Sequence, residues 1–223
     1  MTLVIANKNY SSWSMRPWVA LHAAGVPFHE RLLKFESQDW AEHIGTHSPS
    51  GLVPVLWEGE PATGFATWDT LAIIERAHEL FPAQGIWPED ARARARARSI
   101  CAEMHGGFRA LRGAMPMNIR GRYPGKGMNP EVAKDIARIA ALWAQTRRQF
   151  GQGGSYLFGA FSAADAYYAP LATRFVTYGV TLAGAAHDYH SALLDAPAVR
   201  EWGAAAAAET EFVAADEPYA TTP

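Results

Sequence analysis

The spacing of hydrophobic and polar positions changes character once along this chain. Over the first 80 residues, short apolar runs of strand length alternate with segments of helical period, and beyond Pro88 the period is helical throughout, broken at glycine and proline. Residues 3–6 predict a short buried strand. Residues 14–24 set Trp18, Leu21 and Ala24 on one helical face, with Gly25 and Pro27 as stop signals. A second strand is predicted at 28–35, a short helix at 39–44, and a third strand at 53–57 entered through a Ser-Pro-Ser-Gly turn. Residues 64–68 can close a hairpin onto that strand. Asp69 then stands where a helix cap belongs, and Leu71, Ile74, Ala77, His78 and Phe81 follow on one face until Pro82. The predicted order is βαβαββα.

Residues 82–90 contain Pro and Gly, lack periodicity, and mark a boundary between two halves. Helices are predicted at about 91–111, 130–150, 163–178 and 198–214, with a Gly-rich break at 151–154 and an alanine tract at 204–208 that suits a helix. No internal repeat is present. The expected organisation is an α/β unit over 1–81 and an all-α unit over 87–223.

Composition narrows the function classes. Across 223 residues, a 49% hydrophobic content with eight Trp excludes a disordered chain. The formal charge of −2 gives no general attraction to nucleic acid or an anionic membrane, so neither partner is expected. The single cysteine, Cys101, makes no internal disulfide and suits a reducing compartment. Residues 1–6 are too short an apolar run for a signal peptide, and no stretch approaches the roughly 20 apolar residues of a membrane span, so a cytoplasmic location is expected. His22, His29, His47, His78, His187 and His190 show no metal-ligand spacing with acids or Cys101, and no metal is implied.

Three stretches carry candidate chemistry. In Tyr10-Ser11-Ser12-Trp13-Ser14-Met15-Arg16, hydroxyls sit beside the N–H groups at a helix N-terminus, a position that stabilises an anion such as a thiolate; a plain serine cap is the alternative. In Gly51-Leu52-Val53-Pro54-Val55-Leu56 a proline interrupts a strand pattern. A cis Val53-Pro54 bond would turn the Val53 backbone outward to pair with a peptide-like ligand, whereas a trans proline would be an ordinary edge residue. In Trp68-Asp69-Thr70-Leu71 an acid and a hydroxyl open a helix, where Thr70 can hold a ligand carboxylate and Asp69 an ammonium group, or Asp69 can simply cap.

Together these stretches resemble the glutathione S-transferase family over the whole chain. Ser11-Ser12-Trp13-Ser14-Met15-Arg16 is most similar to the Ser-Ser-Cys-Ser-x-Arg signature of the serine-type zeta class, the maleylacetoacetate and maleylpyruvate isomerases, with Trp13 in place of the cysteine. The resemblance implies a thioredoxin-like N-terminal domain, an all-α C-terminal domain, a homodimer, and glutathione as co-substrate. It assigns Ser11 to the thiolate-stabilising position with Ser12 as its hydroxyl neighbour, Val53 and Pro54 to the cysteinyl clamp, and Asp69 with Thr70 to the γ-glutamyl site. Gly159 to Asp165 is similar to the family's capping box, and Ser162 with Asp165 is a capping box on physical grounds too.

The function so implied is conjugation or addition of glutathione to a small electrophile, as in detoxification. Its alternatives are cis-trans isomerisation of a maleyl-type acid and a non-catalytic binding protein of the same fold. A thiol oxidoreductase would need a cysteine where Ser11 stands. The electrophile is expected against the first helix of the α unit, where His105, Phe108, Arg109 and Arg112 share a face. Lys34 and His43 are the nearest basic side chains for a glycyl carboxylate and are expected at the surface. Arg92, Arg94, Arg96 and Arg98, at a spacing of two, spread around a helix and make no basic strip.

Overall fold

A computed structural model describes residues 1–220. Four strands, β1 (Thr2–Ile5), β2 (His29–Leu32), β3 (Val55–Glu58) and β4 (Phe65–Trp68), form one mixed sheet in the order β2-β1-β3-β4. β1 runs parallel to β2 and antiparallel to β3, and β3 pairs antiparallel with β4, Val55 opposite Trp68. Alternation sorts the side chains between two faces. Leu3, Ile5 and Leu56 join the main core with α1 (Ser12–Ala23) and α3 (Thr70–Leu80), while Val4, Val55 and Trp57 pack on the other face against Trp40 and Ile44 of α2 (Gln38–His47). This is a thioredoxin-like arrangement.

The rest is helical: α4 (Ala91–Gly106), α5 (Arg109–Ala114), α6 (Pro130–Phe150), α7 (Ala163–Tyr178), α8 (Gly184–Leu194) and α9 (Pro197–Ala207). α6 starts where Asn129 Oδ1 accepts from Val132 N at 3.0 Å with Pro130 at the first helical position, and ends at Gly151. α7 is buried along nearly its whole length, as a helix apolar all round must be, and lies along α1. Its capping box forms, Asp165 Oδ2 accepting from Ser162 N at 2.8 Å.

Three expectations are corrected. The helix expected at 91–111 is two helices: Gly107 passes so close to the Glu103 carbonyl that a Cβ would lie 2.5 Å from it, and Phe108 takes a left-handed φ of 53°. Phe108 therefore heads α5, buried, rather than sharing one helical face with His105. The helix expected at 198–214 ends at Ala207, because Glu209 turns back to accept from the backbone N–H groups of Lys8 (2.7 Å) and Asn9 (3.0 Å). α8 was not anticipated at all. Among the described residues no helix is long and apolar enough to cross a membrane.

Candidate active site

The cleft lies where the loop between β1 and α1, the approach to β3 and the start of α3 face the α4–α5 junction and α7. A cavity of about 800 Å³ is lined by Ser11, Ser12, Trp13 and Val53 on one wall and by Arg109, Arg112 and Arg174 on the other. A second, of about 460 Å³, is lined by Trp13, Val53, Pro54, Asp69, Thr70 and His105. Trp13, Val53 and His105 border both, so the six residues singled out in the sequence are brought to one continuous region.

The two serines differ in their commitments. Ser11 is the N-cap of α1: its Oγ accepts from Ser14 N at 3.3 Å, and its hydroxyl donates to Ser14 Oγ at 2.7 Å, which in turn accepts from Ala6 N at 3.1 Å. Ser12 opens the helix, and its Oγ accepts from Arg174 Nη2 at 3.3 Å. A guanidinium has no lone pair to offer, so this contact leaves the Ser12 proton uncommitted.

The Val53–Pro54 peptide bond is cis. Val53 precedes the first paired residue of β3, Val55, by two positions, which leaves its backbone outside the sheet ladder and on the cleft. Asp69 holds a left-handed φ of 73° and caps α3, its Oδ1 accepting from Leu71 N at 3.0 Å. Its Oδ2 lies 3.4 Å from His105 Nε2, and His105 Nδ1 lies 2.8 Å from the Tyr167 hydroxyl. Thr70 is buried beside it. Burial pushes the Tyr167 phenol well up, with Arg16 pulling it back.

Positive charge dominates the helical wall. Arg174, buried on α7, donates to the carbonyls of Met115 (2.8 Å) and Pro170 (3.3 Å) besides Ser12; burial, reinforced by repulsion from Arg16 and Arg112, lowers it to about 9. Arg112 stacks on Trp13, 4.7 Å from its centroid, and donates to the carbonyls of His105 and Gly107. Arg16 also lies over the indole, 4.4 Å from its centroid. Among the described residues no carboxylate lies within 4 Å of Arg16, Arg109, Arg112 or Arg174. Asp216 is the acid that lines the larger cavity; burial raises its carboxyl while Arg174 lowers it.

Asp216 belongs to a tail that borders the cleft. Glu217 accepts from the hydroxyls of Tyr10 (2.7 Å) and Tyr123 (2.8 Å), and Tyr219 donates to the Ala114 carbonyl at 2.7 Å. Lys34, expected as a surface side chain, pairs with Glu211 of the same tail, and His43 lies beside Asp39 of its own helix. Of the four alternating arginines, Arg98 pairs with Glu75 and Arg94 turns back to the Pro88 and Glu89 carbonyls. Among the described residues no group of three or more His, Cys, Asp or Glu can hold a metal ion.

Sequence reasoning missed Arg174 and Asp216 and gave Arg16 no role. A lone arginine inside the apolar run of α7 is the signal that points to Arg174, since burying a cation is costly unless the fold satisfies it.

Residues 10–80 match the model described as "Glutathione S-transferase, N-terminal domain". A search of curated proteins returned no match. Among solved structures, a glutathione transferase homolog from Burkholderia (BGR1), determined with bound glutathione, aligns over 90% of this chain and 95% of its own at 21% identity, TM-score 0.65. Glutathione transferase Omega 2C from Trametes versicolor aligns over 90% and 92% at 18% identity, TM-score 0.67. A glutathione S-transferase from Xylella fastidiosa aligns over 92% and 98% at 21% identity, TM-score 0.62. The chain thus has the fold of the glutathione transferases, with the family's N-terminal domain pattern at residues 10–80.

Proposed function

We propose that the cleft binds glutathione and presents its thiolate to a small electrophile, making the protein a glutathione transferase. The observation that carries this reading is the meeting, on one cleft, of an uncommitted Ser12 hydroxyl at a helix N-terminus, the Val53 backbone beside the cis Pro54, and the Asp69–Thr70 helix start. The match at residues 10–80 and the glutathione held by the Burkholderia neighbour support it.

In this reading the γ-glutamyl group sits at the α3 N-terminus, its carboxylate on Thr70 and its ammonium on Asp69, next to His105. Val53 pairs with the cysteinyl backbone in the manner of an added strand. Ser12 donates to the sulfur, while Ser11, whose proton goes to Ser14, holds the helix start in place. A thiol near 8.5 must fall by roughly two units to be mostly ionised at neutral pH, about 2.7 kcal/mol of differential stabilisation. One hydrogen bond to a charged sulfur, about 1.5–3 kcal/mol, with up to about 1 kcal/mol from the helix terminus, covers it. No general base is required: the thiol proton leaves to water, and the thiolate forms the new carbon–sulfur bond.

A second reading, isomerisation of a maleyl-type acid by reversible thiolate addition, is favoured by Arg109, Arg112 and Arg174, which line the larger cavity without a carboxylate partner within 4 Å among the described residues. Homodimerisation through the sheet edge is supported by Phe65 of β4, which stands 63% exposed. We read the chain as two units, 1–81 holding glutathione and 87–223 holding the electrophile.

Calorimetric titration of the protein with glutathione and with S-methylglutathione tests the reading. Saturable one-site binding of both is expected, and absence of binding by either overturns it in favour of a protein that keeps the fold without the ligand.

A further inference from the structure

Ser12 is bracketed by two buried guanidinium groups. Arg16, fully buried on α1, donates through Nη1 to the Ser12 carbonyl at 3.2 Å, and Arg174, 162 residues away, donates through Nη2 to the Ser12 hydroxyl oxygen at 3.3 Å. Among the described residues every acceptor of Arg174 is a neutral oxygen, and Arg16 Nη2 is buried without a hydrogen-bond partner. Two desolvated cations with no carboxylate within 4 Å among the described residues are an expensive arrangement for a fold to keep, and Asp216, in the same lining, offsets Arg174 only from a longer distance. The cost falls when an anion arrives beside them.

The contact also fixes direction. Arginine only donates, so Ser12 Oγ faces Arg174 with a lone pair, and its single proton points elsewhere. Ser12 lines the cavity, so that proton is free to be donated into it. Polarisation by a charged donor makes the hydroxyl a stronger donor in turn. Burial lowers Arg174 to about 9, which still leaves it charged at neutral pH.

We propose that Arg174 is a positioning residue for thiolate formation: it holds Ser12 Oγ as an acceptor, so that the serine hydroxyl keeps its proton and donates a hydrogen bond to the sulfur, and its buried charge favours the anion. The inference rests on the reading that the glutathione thiol docks at Ser12. In the step concerned, the sulfur–hydrogen bond breaks heterolytically, the proton passes to water, and the electron pair stays on sulfur.

The test is the pH dependence of the bound thiol, followed by thiolate ultraviolet absorbance and by kcat/KM with 1-chloro-2,4-dinitrobenzene, in wild type, Arg174→Gln, Arg174→Lys and the Arg174→Gln/Ser12→Ala double variant. Arg174→Gln is expected to raise the thiol pKa by about one unit or more, which is roughly a fivefold or greater loss of rate at pH 6.5 that disappears above pH 9. S-methylglutathione, which has no ionisable thiol, should bind the variant as it binds wild type. In the Ser12→Ala background the further loss on changing Arg174 should shrink, because the two act through one hydrogen bond. Arg174→Lys keeps the buried cation but loses the fork, and is expected to raise the pKa by a smaller amount; if the glutamine variant does not fold, this variant decides. An unchanged thiol pKa in the folded variants overturns the role of Arg174 while leaving glutathione binding intact. Failure of S-methylglutathione to bind wild type would instead remove the reading on which it rests.

Discussion

Asp69 and His105 meet across the cleft, Oδ2 to Nε2 at 3.4 Å, joining the cap of α3 to the last turn of α4. The same Asp69 side chain accepts from Leu71 N, so one carboxylate serves the helix and faces the cavity at once. The two duties separate by substitution. Asparagine is as good an N-cap as aspartate and tolerates a left-handed φ, so Asp69→Asn should keep stability within about 0.5 kcal/mol. It removes the negative charge that would pair with the glutathione ammonium, a charge-assisted bond of about 1.5–3 kcal/mol, so affinity should fall roughly tenfold or more. Calorimetry and urea denaturation read the two effects. Unchanged affinity would reduce Asp69 to a cap.

Glu217 ties the tail down beside the cleft by accepting from Tyr10 and Tyr123, and burial together with that carboxylate pushes the Tyr123 phenol up to about 12. Glu217→Ala leaves the Tyr123 hydroxyl without its acceptor and the Tyr10 hydroxyl with only the Glu211 carbonyl at 3.1 Å, at about 1–3 kcal/mol in total. Limited proteolysis should then cut within residues 208–220 faster than in wild type, at denaturant concentrations where the rest of the chain resists. Equal protection in the two proteins would show that the tail is held by its other contacts, Lys34–Glu211 and Tyr219–Ala114.

His190 is pushed down from 6.5 chiefly by burial, with His187 adding to the effect and the bond to the Ala172 carbonyl opposing it. A histidine with a depressed value in the folded state contributes stability that is fully present above about 6.5 and is lost as the pH falls, because the unfolded chain takes up the proton first. His190→Gln keeps a neutral donor for Ala172 and abolishes the titration. Unfolding free energy measured between pH 7.5 and 5 should therefore fall less steeply in the variant than in wild type, and parallel curves would contradict the assignment.

The fold was legible where local signals and tertiary packing agree. The α/β order, the capped starts of α6 and α7 and the Asp69 cap follow from periodicity, proline and short polar side chains, all local causes. α8 escaped because its first residues, Gly184-Ala185-Ala186-His187, follow Ala183, which offers no side-chain cap, so packing against α6 and α7 decides it. The break at Gly107 needed knowledge of the Glu103 carbonyl beside it. At the cleft, the six residues were readable from their places at helix and strand starts, but the different hydrogen bonding of the Ser11 and Ser12 hydroxyls was not. It depends on which hydroxyl meets Ser14 and which meets Arg174, 162 positions away.

That difference gives the most direct test of the whole account. Glutathione bound to wild type, Ser11→Ala and Ser12→Ala should be titrated by its thiolate absorbance. In wild type the thiol should ionise about two units below its value in water, and in Ser12→Ala at least one unit higher than in wild type. Ser11→Ala should leave the thiol pKa nearly unchanged while costing about 1 kcal/mol of stability through the lost cap. A bound thiol that titrates as it does in free glutathione, or one that responds to Ser11→Ala and not to Ser12→Ala, would contradict the account.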